Sequence, residues 1–105
     1  MSFTTGAALL DAVVLAVVSR EEEGAYGYKI TQEIKQALEL SESTLYPVLR
    51  RLQKDQLLTV YDAPVNGRNR RYYQITAAGR QQLAAYAQEW SRYRSSIDTF
   101  FREVE

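Results

Sequence analysis

The sequence predicts a mainly α-helical domain with one small β-hairpin, and three observations carry that expectation. Leu45, Val48, Leu49 and Leu52 recur at i, i+3, i+4 and i+7, the spacing of a helix with one buried face. Residues 57–61 and 71–75 have strand composition, and Pro64 and Asn66-Gly67 lie between them as turn signals. After Thr76, Leu83, Ala87, Trp90, Arg94, Ile97, Phe101 and Val104 alternate spacings of four and three, a heptad.

The 105 residues suit one domain or slightly less. A monomer of this size buries only roughly two-thirds of its unfolded surface, so burial against a partner is expected. Lys and Arg number 13, as do Asp and Glu, and formal net charge is zero. The distribution is uneven. Between Ser43 and Tyr73, Arg50, Arg51, Lys54, Arg68, Arg70 and Arg71 face only Asp55 and Asp62, a local charge of +4 that the rest of the chain balances. Such asymmetry suggests a basic working surface on an acidic body, with nucleic acid as its partner, although a solvated charged face gives the same count. Neither cysteine nor histidine is present, which excludes disulfides, thiol nucleophiles, histidine acid–base chemistry and the usual zinc sites. No cofactor or metal is expected. The longest apolar stretch, Ala12–Val18, is too short to span a bilayer, and no signal-peptide pattern precedes it. A cytoplasmic protein with no membrane partner is expected.

Helix 1 is expected from about Thr5 to Ser19. Leu9, Val13 and Val17 form one stripe; Leu10, Val14 and Val18 form a second beside it. A helix apolar nearly all round needs burial on more than one face, and Asp11 is its lone charge. Arg20–Gly24 is a solvated break. Helix 2 is expected from Tyr26 to Leu38, with Ile30, Ile34, Ala37 and Leu38 on its dry side. Helix 3 follows a cap at Ser41 or Ser43. Pro47 lacks a backbone donor and costs least in the first turn, which favours a start near Ser43. Strands at Leu57–Tyr61 and Arg71–Ile75 are joined by Ala63–Asn69, giving a hairpin with a basic tip. Thr76 caps a last helix running to the C-terminus, about 45 Å at 1.5 Å per residue. A helix this long projects beyond a small core, so it is read as a dimerisation helix, with a solvent-bridging or self-packed helix as the alternative.

The order helix, helix, helix, hairpin, long helix is that of a winged helix-turn-helix, in which the third helix enters the DNA major groove and the wing touches flanking backbone or minor groove. With its leucines buried, helix 3 leaves Ser43, Thr44, Tyr46, Pro47, Arg50, Arg51 and Lys54 exposed. Hydroxyls and Tyr46 near its positive end suit phosphates or base edges, and Arg50 suits a guanine edge. Arg68, Arg70 and Arg71 on the wing suit phosphates. Tyr72 and Tyr73 are expected to pack within the strand. A winged-helix module that binds a protein partner instead of DNA is the alternative, disfavoured by the +4 cluster. No motif assembles an enzyme site.

The stretches YGYKITQEI (26–34), STLYPVLRRLQKDQLL (43–58) and GRNRRYYQITAAG (67–79) resemble the PadR family of winged-helix repressors over nearly the whole chain. Gln56 stands where that family usually has a glycine after the third helix. The resemblance implies a homodimeric, ligand-responsive repressor. Residues 1–75 would form the DNA-binding head, with helix 1 also at the dimer interface, and residues 76–105 the dimerisation helix. The recognition helices would enter successive major grooves about 34 Å apart on a pseudo-palindromic operator. Tyr28 joins the residues expected to contact DNA.

The short C-terminus resembles the small multidrug-binding subgroup, which implies a planar aromatic effector held between two tryptophans, one per subunit. Trp90, eleven residues after Gly79, is at the matching place. The heptad agrees: a large flat ring on a helix seam leaves a slot, or else fills the dimer core. The effector residues expected are Ala8, Asp11, Ala12 and Leu15 of helix 1 and Tyr86, Ala87, Trp90 and Arg94 of the last helix. The multidrug relatives have an acidic residue in place of Arg94, so neutral or anionic planar compounds are implied here. Asp11 and Arg94 are candidates to pair across the interface.

Overall fold

The computed structural model describes residues 6–104. In chain order they form α1 (Gly6–Ser19), β1 (Ala25–Tyr26), α2 (Gly27–Lys35), α3 (Glu42–Lys54), β2 (Leu58–Val65), β3 (Arg68–Ile75) and α4 (Ala77–Phe101). The mainly helical class with a small antiparallel sheet is the expected one. The core gathers Val14, Leu15 and Val18 of α1, Ile30 and Ile34 of α2, Leu45, Leu49 and Leu52 of α3, Leu58 and Tyr73 of the sheet, and Tyr86 of α4. The single buried polar side chain among them, Thr31, donates its hydroxyl hydrogen bond to the Tyr28 carbonyl at 2.9 Å, which satisfies it.

The Thr5 start of helix 1 lies outside the described residues, and three other boundaries differ from expectation. Helix 2 ends at Lys35 rather than Leu38, because Ala37 and Leu38 turn back onto the Ile34 carbonyl. Helix 3 starts one residue after Ser41, not near Ser43: the Ser41 hydroxyl accepts from the Thr44 amide at 3.2 Å. Pro47 therefore sits in the second turn, and the Ser43 carbonyl loses its helical donor. Both residues are exposed, so water satisfies that carbonyl cheaply. The last helix stops at Phe101, about 37 Å at 1.5 Å per residue.

The wing is longer and tighter than composition suggests. Only Asn66 and Gly67 turn the chain, at φ 51° and 78°, the pair of positive angles of a two-residue hairpin turn. Ala63 to Val65 and Arg68 to Asn69, expected as connection, are paired strand. Pro64 is tolerated because β2 is an edge in the order β1-β3-β2. β1 was not expected at all. Its two residues pair with the middle strand, Ala25 with Tyr73 and Tyr26 with Tyr72, too few for alternation to reveal.

Gln56 takes the left-handed conformation, φ 64°, that ends α3. The Leu57 amide reaches back to the Leu52 carbonyl at 2.9 Å and the Gln56 amide to Gln53 at 3.0 Å, a helix stop that usually employs glycine. The tight turn thus survives without glycine, at the expense of a strained backbone at Gln56. Gln56→Gly is expected to stabilise the fold by about 0.5–1 kcal/mol, the relief of strain less glycine's entropy cost. Differential scanning calorimetry should show a midpoint roughly 2–8 °C higher; a lower midpoint would contradict this account of the turn.

Thr76 ties this turn to α4. Its hydroxyl oxygen lies 2.8 Å from the Gln56 carbonyl, to which it donates, and accepts from the Gly79 amide at 2.9 Å. The first turns of α4 pack on the domain through Gly79, Leu83 and Tyr86. Beyond them the helix projects, and the molecule is 55 × 27 × 20 Å. No helix among the described residues is long and apolar enough to cross a membrane.

Candidate functional site

Two concavities, one basic and one apolar, gather nine of the nineteen expected site residues. The basic cleft, about 430 Å³, opens between the start of α2, the exposed side of α3 and the wing. Tyr28, Tyr46, Arg50, Arg70 and Arg71 of the expected DNA set line it, with Tyr26, Gly27 and Tyr73. Tyr28 is 56% exposed. Ser43, Thr44, Pro47, Lys54 and Arg68 lie outside the cleft on exposed surface. Ser41, Ser43 and Thr44 bring three hydroxyls together at the N-terminus of α3, with 2.8 and 3.1 Å between oxygens. Burial, helped by the nearby Glu42 charge, raises the Tyr46 phenol above its ordinary range. At neutral pH Tyr46 is therefore protonated and able to donate.

Each wing arginine has a different setting. The Arg70 guanidinium carbon lies 4.5 Å from the centre of the Tyr26 ring. Arg71 Nε is 3.5 Å from Asp62 Oδ1 across the hairpin, with both side chains more than half exposed. Such a pair contributes about 0–1 kcal/mol, so Arg71 exchanges Asp62 for a phosphate at little cost. Tyr73 is buried, as expected of strand packing, and Tyr72 stacks on Tyr61.

Arg51 differs from the rest of the expected DNA set. It reaches α1 and pairs with Asp11. Asp11 thus has its partner within the chain, and the pairing with Arg94 considered from sequence is not what satisfies it. Burial lifts the Asp11 carboxyl above its usual range, and Arg51 offsets this only in part.

The apolar groove, also about 430 Å³, lies between α1 and α4. Leu9, Ala12, Val13 and Ala16 form one wall at i, i+3, i+4, i+7; Leu83, Tyr86, Ala87 and Trp90 form the other, and Leu38 closes one side. Of the expected effector residues, Ala12, Tyr86, Ala87 and Trp90 are here. Ala8, Asp11, Leu15 and Arg94 are not. At 3.6 residues per turn Ala8, Asp11 and Leu15 share the neighbouring face of α1: Ala8 and Leu15 are buried in the core, and Asp11 is held by Arg51. Arg94 is exposed one turn beyond Trp90. Leu9 and Val13 belong to a stripe already visible in the sequence, but Ala12, Ala16 and the distant Leu38 have no individual signal. Trp90 is 40% exposed, its ring 6.3 Å from that of Tyr93. No group of acidic residues able to hold a metal occurs among the described residues.

Three helices, a β-hairpin carrying arginines beside the third of them, and a cleft joining the two define a winged helix-turn-helix protein. The chain belongs to the PadR-like family of transcriptional regulators, whose family model matches residues 14–85. Its members are transcriptional regulators and not enzymes. The crystal structure of smu.1704 from Streptococcus mutans UA159 is similar over 98% of this chain and 95% of that one, at 38% identity and a TM-score of 0.84. Transcriptional regulator Rv3488 of Mycobacterium tuberculosis is 44% identical over 80 residues, 75% of this chain and 68% of that protein. Bacillus subtilis PadR, solved in complex with operator DNA, shares the fold at 23% identity and a TM-score of 0.66, over 75% of this chain and 46% of its own.

Proposed function

We propose that this chain is a homodimeric, ligand-responsive transcriptional repressor that binds a pseudo-palindromic DNA operator. The observation that carries the DNA reading is the basic cleft, where Arg50 and Tyr46 of α3 meet Arg70 and Arg71 of the wing. The operator complex of Bacillus subtilis PadR, with the same fold, supports it. In this reading α3 lies in the major groove, Arg50 and Tyr46 read base edges, and Arg68, Arg70 and Arg71 neutralise phosphates. Ser43, Thr44, Pro47, Lys54 and Tyr28 border the same face, and Arg51 contributes through its exposed part.

The dimer reading rests on α4. Phe100, Phe101 and Val104 are 76%, 63% and 69% exposed near its end, and Tyr93 and Trp90 continue the apolar surface toward the groove. Large apolar groups concentrated along one projecting helix mark an interface. The described residues up to 75 form the head and those from 76 the dimerising segment, with α1 lining the same groove. A second chain across it would enclose the nearly wholly apolar space beside Trp90, which suits a planar aromatic ring without cationic substituents. Its occupation would change the relative orientation of the heads, a coupling of about 1–3 kcal/mol against DNA binding.

Gel shifts with a sequence-selected operator and unrelated duplexes test the DNA face. Arg68→Ala and Arg71→Ala each remove one phosphate contact from both heads of the dimer, so each is expected to weaken binding to all sequences and to reduce the salt slope by about two. Tyr46→Ala and Arg50→Ala are expected to cost operator preference, by about 1–3 kcal/mol for Arg50. Unchanged shifts in all four would mean that another surface, or a protein partner, is the target.

A further inference from the structure

We propose that Tyr26 is a positioning residue for DNA binding, its ring holding the Arg70 guanidinium over the cleft between wing and α3. This rests on the DNA reading above and adds a residue to it. The arrangement follows from strand register. β1 ends at Tyr26, opposite Tyr72, whereas β3 continues the other way along the wing. Arg70 is two residues from Tyr72 on the same face of β3, which makes it the diagonal neighbour of Tyr26. There its guanidinium carbon lies 4.5 Å from the ring centre, within cation–π range.

The ring is itself braced. Tyr26 meets Tyr72 edge-on at 5.9 Å, and Tyr72 stacks on Tyr61 at 5.2 Å with only 8° between planes. The Tyr61 hydroxyl in turn donates to the Glu23 carbonyl. Three tyrosines, one from each strand, thus form a row across the sheet, and Arg70 lies over its end. Tyr26 is also the N-cap residue preceding α2, yet its side chain makes no cap hydrogen bond there. An unrestrained arginine loses rotamer freedom when it meets a phosphate. Arg70 has given up much of that freedom already, while the edge of its planar fork keeps donors for an oxygen.

The test compares the full-length protein with Arg70→Ala, Tyr26→Leu, Tyr26→Phe and the double variant Tyr26→Leu/Arg70→Ala. Fluorescence anisotropy on a labelled random-sequence duplex is read across a salt series, with calorimetry to verify folding. Arg70→Ala, lost from both heads of the dimer, is expected to weaken binding by about tenfold and to lower the salt slope by about 1.8. Tyr26→Leu should weaken it about two- to fivefold and lower the slope in the same direction, whereas Tyr26→Phe, which keeps the ring, stays near the parent. The double variant should bind no more weakly than Arg70→Ala alone. Additive losses with an unchanged slope in Tyr26→Leu would overturn the proposal and leave Tyr26 a packing residue. Normal binding by Arg70→Ala would overturn the wing's role itself. Should Tyr26→Leu fail to fold, a ring-fluorinated phenylalanine at position 26 keeps the shape and weakens the ring's negative face. Equal binding by it and Tyr26→Phe would then overturn the proposal.

Discussion

Replacing Phe100 and Phe101 together with serine is expected to leave single chains at micromolar concentration and to weaken operator binding by about 10²–10⁴-fold. Both side chains are more than three-fifths exposed on the projecting end of α4 and contribute nothing to the core of their own chain. Their removal should therefore spare the head, its cleft and its contacts with a single half-site. What disappears is the linkage that makes engagement of the second half-site intramolecular, and avidity of that kind is typically worth about 10²–10⁴. Sedimentation velocity reads the assembly and anisotropy reads the affinity. Dimers of undiminished affinity in the double variant would show that α4's aromatic end is not the clasp.

Gly79→Ala is expected to destabilise the fold by about 3 kcal/mol, the upper part of the usual range for overpacking. A Cβ at this position would stand 2.2 Å from the Leu57 carbonyl oxygen and 2.7 Å from Ile75 Cγ1. The first is backbone, held by the Thr76 amide at 3.1 Å, so it has nowhere to yield. α4 would have to lift off the turn that follows α3, taking Thr76 with it. The thermal midpoint should fall by roughly 12–24 °C at fixed protein concentration. Ala78→Gly at the neighbouring exposed position removes a methyl and should cost only about 1 kcal/mol. A Gly79→Ala midpoint equal to that of the parent would refute the close approach on which α4's docking depends.

The parts of this fold that local chemistry decides were legible. The leucine spacing of α3 demands a helix with one dry face, and that face is the one buried. Asn66-Gly67 demands a tight hairpin, and it is there. The motif run through Thr44, Leu45, Tyr46 and Pro47 to Arg71, Tyr72 and Tyr73 resembled the family to which the chain belongs. What escaped reading depends on distant partners. Pro64 argues against strand until the strand order makes β2 an edge. Ser41 and Ser43 are equal as caps in composition; the Ser41 hydroxyl facing the Thr44 amide separates them. Asp11 and Arg51 stand 40 residues apart, and nothing local announces that they meet. Five of the eleven residues expected on the basic face line the cleft, and its Tyr26, Gly27 and Tyr73 were not expected there. On α1 only Ala12 of the residues implied by the resemblance lines the groove; Ala8, Asp11 and Leu15 belong to neither apolar stripe of the sequence and lie on the neighbouring face, whereas Leu9 and Val13 of the first stripe face α4.

The salt dependence of duplex binding by the intact protein tests the central claim most directly. Three wing arginines on each of two heads, at about 0.9 per neutralised phosphate, predict that log affinity falls linearly with log salt at a slope of about −5. A slope near zero, or no duplex binding even at low salt, would contradict the assignment of the α3–wing face to DNA.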